Sequence, residues 1–379
     1  MKKILFMFFC LFITYKVDAS NTLAPHAKSA IIMEESTGSV IYEYEADKKL
    51  PPASMTKMMS LVLIMEAIDN DVIKLDDKVT ISSNASGMGG SQILLETGEQ
   101  MTVDDLLKGI TVSSGNDAVV ALAERIGGTE ENFVKMMNDK AKKLGLKNTN
   151  FKNCHGLDDK EHYSSARDMA IIAKELVKHN KILEYSSIYE TYLRKGTDKQ
   201  IWLVNTNKLV RFKKGVDGLK TGYTENSGYC LTATMKVDGM RVIAVVMGEP
   251  DSGVRNDEVS GMLDYAFAQY KLDTILNKNK VLKNININKG KKENVSIISK
   301  EDVTLLKKKI DKDKEIKYDL KLKDIKLPIK KGDNVGILSI YVDNELYKNI
   351  NVTVNEDVKK VDIFTLYGRY LKKIVTGNI

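Results

Sequence analysis

Two periodicities alternate along the chain. Residues 29–33 and 40–44 are short β-rich runs separated by Ser36-Thr37-Gly38-Ser39, a composition that predicts a hairpin. Residues 54–68 follow Pro51 and Pro52 and are apolar almost all round (Met58, Met59, Leu61, Val62, Leu63, Ile64, Met65), which predicts a helix buried on every side. Apolar positions at a period of about 3.6 predict further helices over 103–110, 117–126 and 130–144. Strand patterns return at 230–237 and 242–248, and a helix is expected over about 256–270. Strands, then a helical block, then strands again imply an α/β domain with a helical insertion.

After about residue 273 the pattern changes to a period of two, as in Asn284-Ile285-Asn286-Ile287-Asn288 and across 316–322, within a Lys-, Asn-, Ile- and Val-rich stretch. Several short strands at close spacing predict a small all-β domain at 274–358, without a catalytic constellation. Its lysines read as a solvated sheet face. In the final segment, 359–379, one helical face collects Ile363, Phe364, Leu366, Tyr367, Tyr370, Leu371, Ile374 and Val375, opposite Arg369, Lys372 and Lys373. Such a basic amphipathic helix suits reversible attachment to a membrane surface, the alternative being a helix docked on its own β domain.

The chain's start differs in kind. Lys2 and Lys3 precede an apolar run over 4–15, and Val17-Asp18-Ala19 ends in a small residue, the three-part layout of a secretory signal peptide at 1–19. The run is about 12 residues long against the roughly 20 a membrane span needs, so removal is expected rather than retention as an anchor. Loss of Lys2, Lys3, Lys16 and Asp18 lowers the formal charge from +7 to +5, still mildly basic and suited to work beside anionic lipid or wall polymer. Export excludes nucleic acid as a partner. Cys154 and Cys230 then remain, too few for a disulfide scaffold, and are expected as two separate buried thiols. No Cys/His spacing calls for a metal, and no cofactor is implied.

Chemistry concentrates at three places. Ser54-Met55-Thr56-Lys57 opens the expected buried helix and sets a hydroxyl and an amine one turn apart on one face. A serine becomes a good nucleophile when a neighbouring base takes its proton, and a lysine serves if burial or a second cation keeps it neutral. Ser114-Gly115-Asn116 falls between two expected helices, where the hydroxyl can relay a proton and the amide can bind a carbonyl; a bare helix cap by Asn116 or Asp117 is the plainer reading. Lys220-Thr221-Gly222 offers a cation and a hydroxyl for a carboxylate, beside a glycine that admits a ligand's backbone.

Each motif alone is common. All three, in this order, with gaps of 60 and 106 residues, resemble the serine D-alanyl-D-alanine carboxypeptidase family of low-molecular-weight penicillin-binding proteins. The resemblance extends to Gly98-Glu99, Leu144-Gly145-Leu146, His155-Gly156-Leu157, Ala166-Arg167-Asp168, Asn205-Thr206-Asn207 and Gly228-Tyr229. It implies a β-lactamase/transpeptidase-like catalytic domain over 20–273, with an antiparallel sheet flanked by helices and a helical subdomain. The all-β domain and terminal helix resemble the accessory parts of longer members. It further implies Ser54 as acylated nucleophile, Lys57 as general base, and Ser114, Asn116 and Lys220 as catalytic partners. Thr221, Gly222 and Tyr223 would line the cleft, the Tyr223 N–H joining that of Ser54 in an oxyanion hole, and Arg255 would help hold the substrate's carboxylate. Substrates would be peptidoglycan stem peptides ending in D-Ala-D-Ala, with β-lactams acylating the same serine on the outer side of the cytoplasmic membrane.

Rival readings are a serine β-lactamase, a DD-endopeptidase and a catalytically silent wall-binding scaffold. β-Lactamases typically add a Glu-x-x-x-Asn loop between the second and third motifs, and none occurs between Ser114 and Lys220. The intact Ser54, Lys57, Ser114, Asn116 and Lys220 argue against a silent scaffold.

Overall fold

A computed structural model describes residues 23–376; the expected signal peptide lies outside them. Among the described residues, two compact units divide the chain, one comprising residues 23–33, 40–236 and 242–264, the other residues 34–39, 237–241 and 265–376.

In chain order the elements begin with strands β1 (Ser29–Glu34) and β2 (Val40–Tyr44), a 3-10 turn (Ala53–Thr56) and helix α1 (Lys57–Asp69). There follow β3 (Lys78–Thr80), α2 (Ser83–Ser86), β4 (Gln100–Thr102), α3 (Val103–Val112), α4 (Asn116–Gly127), α5 (Glu130–Lys143), α6 (Ala166–Leu176) and α7 (Lys181–Ser186). Then come β5 (Glu190–Leu193), β6 (Ile201–Val204), α8 (Leu209–Phe212), β7 (Val216–Thr224), β8 (Gly228–Val237), β9 (Met240–Glu249) and α9 (Ser252–Gln269). The main sheet has the order β2-β1-β9-β8-β7, with antiparallel β1–β2 and β7–β8 pairs.

The helix expected to be buried all round is α1: Met58, Met59, Ile64 and Met65 are fully inaccessible, and α4, α5 and α6 pack against it. Each such side chain contributes about 1.5–3 kcal/mol of transfer free energy. Helices α3, α5 and α6 start where Thr102, Thr129 and Ser165 accept the N–H three residues on, from Asp105, Asn132 and Asp168. One expectation needs correcting. Ser54 does not open α1 but stands in the 3-10 turn before it, because Ala53 takes a left-handed backbone (φ +47°) where the chain leaves Pro52.

The second unit contains β10 (Tyr270–Leu276), β11 (Val281–Asn286), β12 (Asn294–Ser299), β13 (Val303–Lys308), β14 (Ile316–Leu322), β15 (Gly336–Val342), β16 (Glu345–Val354) and α10 (Ile363–Val375). Five strands form a sheet in the order β11-β12-β16-β15-β14, and β10 pairs with β13. Period-two burial places Ile297, Leu338, Ile340 and Val352 in its core. Asp362 caps α10 by accepting the Thr365 N–H. Arg369 on that helix donates to the carbonyls of Gly290 and Lys291 at 2.7 and 2.8 Å, while Ile363, Phe364, Tyr367, Ile374 and Val375 stay exposed. Among the described residues, no helix is long and apolar enough to cross a membrane.

Candidate active site

The turn carrying Ser54 is held by backbone approaching from two sides, at points where any side chain would intrude. A Cβ on Gly222 of β7 would lie 2.8 Å from the Pro52 carbonyl oxygen and 3.1 Å from the Ala53 Cβ. Gly156, at φ +94°, would place a Cβ 1.9 Å from the Ala53 oxygen. Glycine at both positions lets β7 and the loop after α5 close on the turn and fix the direction of the Ser54 side chain.

One turn further on, the side chain of Lys57 is wholly buried. Its Nζ donates to Ser54 Oγ at 2.9 Å, Asn116 Oδ1 at 2.6 Å and the His155 carbonyl at 2.8 Å. Loss of water pushes the amine down to about 7, although Cys154 and Asp117 oppose the shift. Near neutral pH the amine is therefore half unprotonated, and its lone pair can turn to the Ser54 hydroxyl. Asn116 is held from its other side by Nδ2, which donates to the Gly89 carbonyl at 2.7 Å.

Ser114 precedes α4 with a left-handed backbone (φ +67°), and its buried Oγ has no hydrogen-bond partner among the described residues. A buried hydroxyl left open is unusual and is available to a ligand or a passing proton. Asp117 does more than cap. Its carboxylate accepts the N–H groups of Ile93 and Leu95 as well as that of Ala118, tying the preceding loop to α4. Sequence reasoning missed that tie, since nothing local marks a contact across more than twenty residues.

On β7, Lys220 is buried, and its Nζ donates to the Thr221 carbonyl at 3.0 Å. Burial first, then the charges of Lys57 and Arg255, lower its amine well below the ordinary value. Thr221 Oγ1 donates to Thr206 Oγ1 at 2.7 Å, a partner that the sequence reading used only as part of a resemblance. Tyr223 is exposed, with its ring 4.3 Å from that of Tyr229. Arg255, in the first turn of α9, is 5% exposed, and its Nε and Nη2 donate to Asn256 Oδ1 at 3.2 and 3.0 Å. Close by in the chain, Glu249 and Glu258 form a carboxyl pair. Burial and then the neighbouring Glu258 raise the Glu249 carboxyl, while His26 Nδ1 meets Glu258 Oε1 at 2.5 Å.

These residues converge on one cleft of about 440 Å³. Of the nine positions singled out in the sequence, Ser54, Ser114, Thr221, Gly222, Tyr223 and Arg255 line it. Lys57 and Lys220 are wholly or almost wholly buried, and Asn116 is 3% exposed. Ser91, Val204, Thr206, Lys208, Tyr229, Ser252 and Asn256 complete the walls without standing among those nine positions. Cys154 and Cys230 are free and buried.

A hydroxyl pressed against a dehydrated amine, a second buried lysine on the facing strand and a cation at the cleft's rim equip an active-site-serine acyl-transfer enzyme. Comparison with known proteins makes the class particular. Residues 16–251 match the D-alanyl-D-alanine carboxypeptidase family, and residues 270–360 match the penicillin-binding protein 5 C-terminal domain. The chain is 49% identical over 357 residues to the D-alanyl-D-alanine carboxypeptidase DacF of Bacillus subtilis, covering 93% of this chain and 92% of that protein. It is also similar to penicillin-binding protein 5 of Haemophilus influenzae, with a TM-score of 0.73 and 34% identity, over 88% of this chain and 98% of that structure. Penicillin-binding protein D2 of Listeria monocytogenes, solved in a cefotaxime-bound form, matches with a TM-score of 0.58 and 32% identity, over 64% of this chain and 97% of that one. The chain belongs to the D-alanyl-D-alanine carboxypeptidase family of serine peptidases.

Proposed function

We propose that the protein is a serine D-alanyl-D-alanine carboxypeptidase that removes the terminal D-alanine from peptidoglycan stem pentapeptides through an ester on Ser54. The observation that carries this reading is the Lys57 amine, fully buried, lowered to about 7 and 2.9 Å from Ser54 Oγ. Ser54 Oγ attacks the carbonyl carbon between the two D-alanines and passes its proton to neutral Lys57. The N–H groups of Ser54 and Tyr223 face the oxyanion of the tetrahedral intermediate. As the C–N bond breaks, the proton reaches the departing amine by way of the open Ser114 hydroxyl. Water then adds to the ester carbonyl, with Lys57 again accepting the proton, and Ser54 leaves as the alcohol. Asn116 holds the acyl amide, and Lys220, Thr221 and Arg255 hold the substrate's carboxylate.

β-Lactams acylate the same serine in this reading. With no Glu-x-x-x-Asn loop to activate a second water, the penicillin ester persists. The chain acts on the wall, outside the cytoplasm, after export by the segment at 1–19. It rests on the membrane surface through α10, whose polar side is held by Arg369 and whose apolar side is open.

Mass spectrometry of the penicillin-treated protein, run beside D-alanine release from a pentapeptide, tests the reaction. A lasting adduct on Ser54 together with released D-alanine is expected; rapid drug turnover would make the protein a β-lactamase, and absence of an adduct would make it a silent scaffold. Removal of residues 361–379 is expected to leave activity intact and abolish sedimentation with lipid vesicles, and unchanged sedimentation would exclude the anchor.

A further inference from the structure

The reaction described above leaves unused an aromatic surface on the β5–β6 hairpin. Tyr192 and Trp202 are direct partners across that ladder and are 48% and 56% exposed. Their position outside is set by register. Leu193 and Leu203, each one residue along, belong to the core at 1% and 2% exposure, so strand alternation turns the two rings to the opposite face. Val204 shares that outer face with Trp202, being two residues further along β6, and it lines the reaction cleft beside Thr206 and Lys208. Two residues of strand cover about 7 Å. Trp202 therefore continues the cleft wall along β6, with Tyr192 beside it on β5.

Ligand sites are lined by aromatic side chains with a few polar groups, and this pair adjoins such a cleft. Polar groups accompany the rings: Glu190 lies opposite Val204 on the same face, and Lys199 in the hairpin connection makes an exposed ion pair with Glu96 of the loop before β4. An apolar partner protein would favour a core depleted of charge. Pyranose rings suit this mixture better, because they present C–H bonds to the negative face of an aromatic ring and hydroxyl and acetamido groups to polar neighbours. We propose that Trp202 and Tyr192 form a stacking platform for the N-acetylated aminosugars of the glycan, so that the enzyme grips the polymer as well as its stem peptide. The inference rests on the carboxypeptidase reading and adds a second binding region to it.

Trp202 is the chain's sole tryptophan, so indole emission reports on the platform directly. Peptide-free glycan fragments of alternating N-acetylglucosamine and N-acetylmuramic acid should change that emission saturably in the full chain. KM for a disaccharide-linked pentapeptide should lie about five- to tenfold below that for the free pentapeptide, the size expected of one or two stacking contacts. Trp202→Ala should erase the difference while leaving kcat on free pentapeptide and penicillin labelling unchanged, and Trp202→Phe should restore most of it. An emission that ignores the glycan, or a Trp202→Ala protein impaired equally on both substrates, would overturn the platform and leave the carboxypeptidase reading standing. Failure of the wild type to release D-alanine from either substrate would remove both.

Discussion

Lys57 ties stability to pH in a way that the wild type and a Lys57→Met variant should expose. The folded amine sits at about 7 against an ordinary 10.5. At about 1.4 kcal/mol per pH unit, that gap makes the buried lysine unfavourable by up to about 5 kcal/mol at low pH. Between the two values the unfolded chain binds the extra proton, so stability rises with pH. Linkage puts the relief between pH 7 and pH 9 at about 2 kcal/mol. Burial, the main cause of the lowered Lys220 amine, is common to both proteins and cancels, and the repulsion from charged Lys57 that the variant lacks acts in the same direction as the effect sought. Urea unfolding at the two pH values should therefore show the wild type gaining about 2 kcal/mol on the variant as pH rises. In the wild type, penicillin acylation of Ser54 should climb to half its plateau near pH 7, and the variant should not acylate. A stability difference that is flat with pH, or that moves toward the variant, would refute the dehydrated-amine argument.

Gly222→Val should cut penicillin labelling by at least about tenfold and destabilise the fold by about 1–3 kcal/mol in denaturant unfolding, since the added Cβ would lie 2.8 Å from the Pro52 oxygen. Asn116→Ala removes an acceptor 2.6 Å from the Lys57 amine. Because that bond favours the charged amine, the acid limb of the kcat/KM profile should move below the wild type's while the plateau falls. Glu249→Gln should raise Tm progressively as pH increases from 5 to 8. The raised Glu249 carboxyl contributes its stability below the ordinary carboxylate range and loses it as pH rises toward its folded value.

Much of this architecture was legible because burial writes itself into α1: a segment apolar on all sides has few other places to go. The three motifs could be located for the same reason, each standing beside a strong pattern. Local geometry was less legible. Ala53's left-handed backbone, which moves Ser54 off the helix, answers to Gly156 and Gly222, residues far along the chain. Helix α6 went unassigned although Ser165 and Asp168 form a start signal, because the stretch before it, 144–165, has little periodicity to frame it. The amphipathic pattern of α10 was plain, whereas the use of Arg369 to fasten its polar side to Gly290 and Lys291 could not be read from a wheel.

The two glycines pressed on the Ser54 turn also set a timetable. Their segments belong to the loop after α5 and to β7, so the turn acquires its final shape only when chain made long after it has come home. A half-folded molecule carries Ser54 and Lys57 one turn apart yet lacks the walls that aim the hydroxyl and dry the amine. Penicillin reactivity is thus a signature of completed folding, and a refolding sample should gain helix signal before it gains the capacity to be labelled.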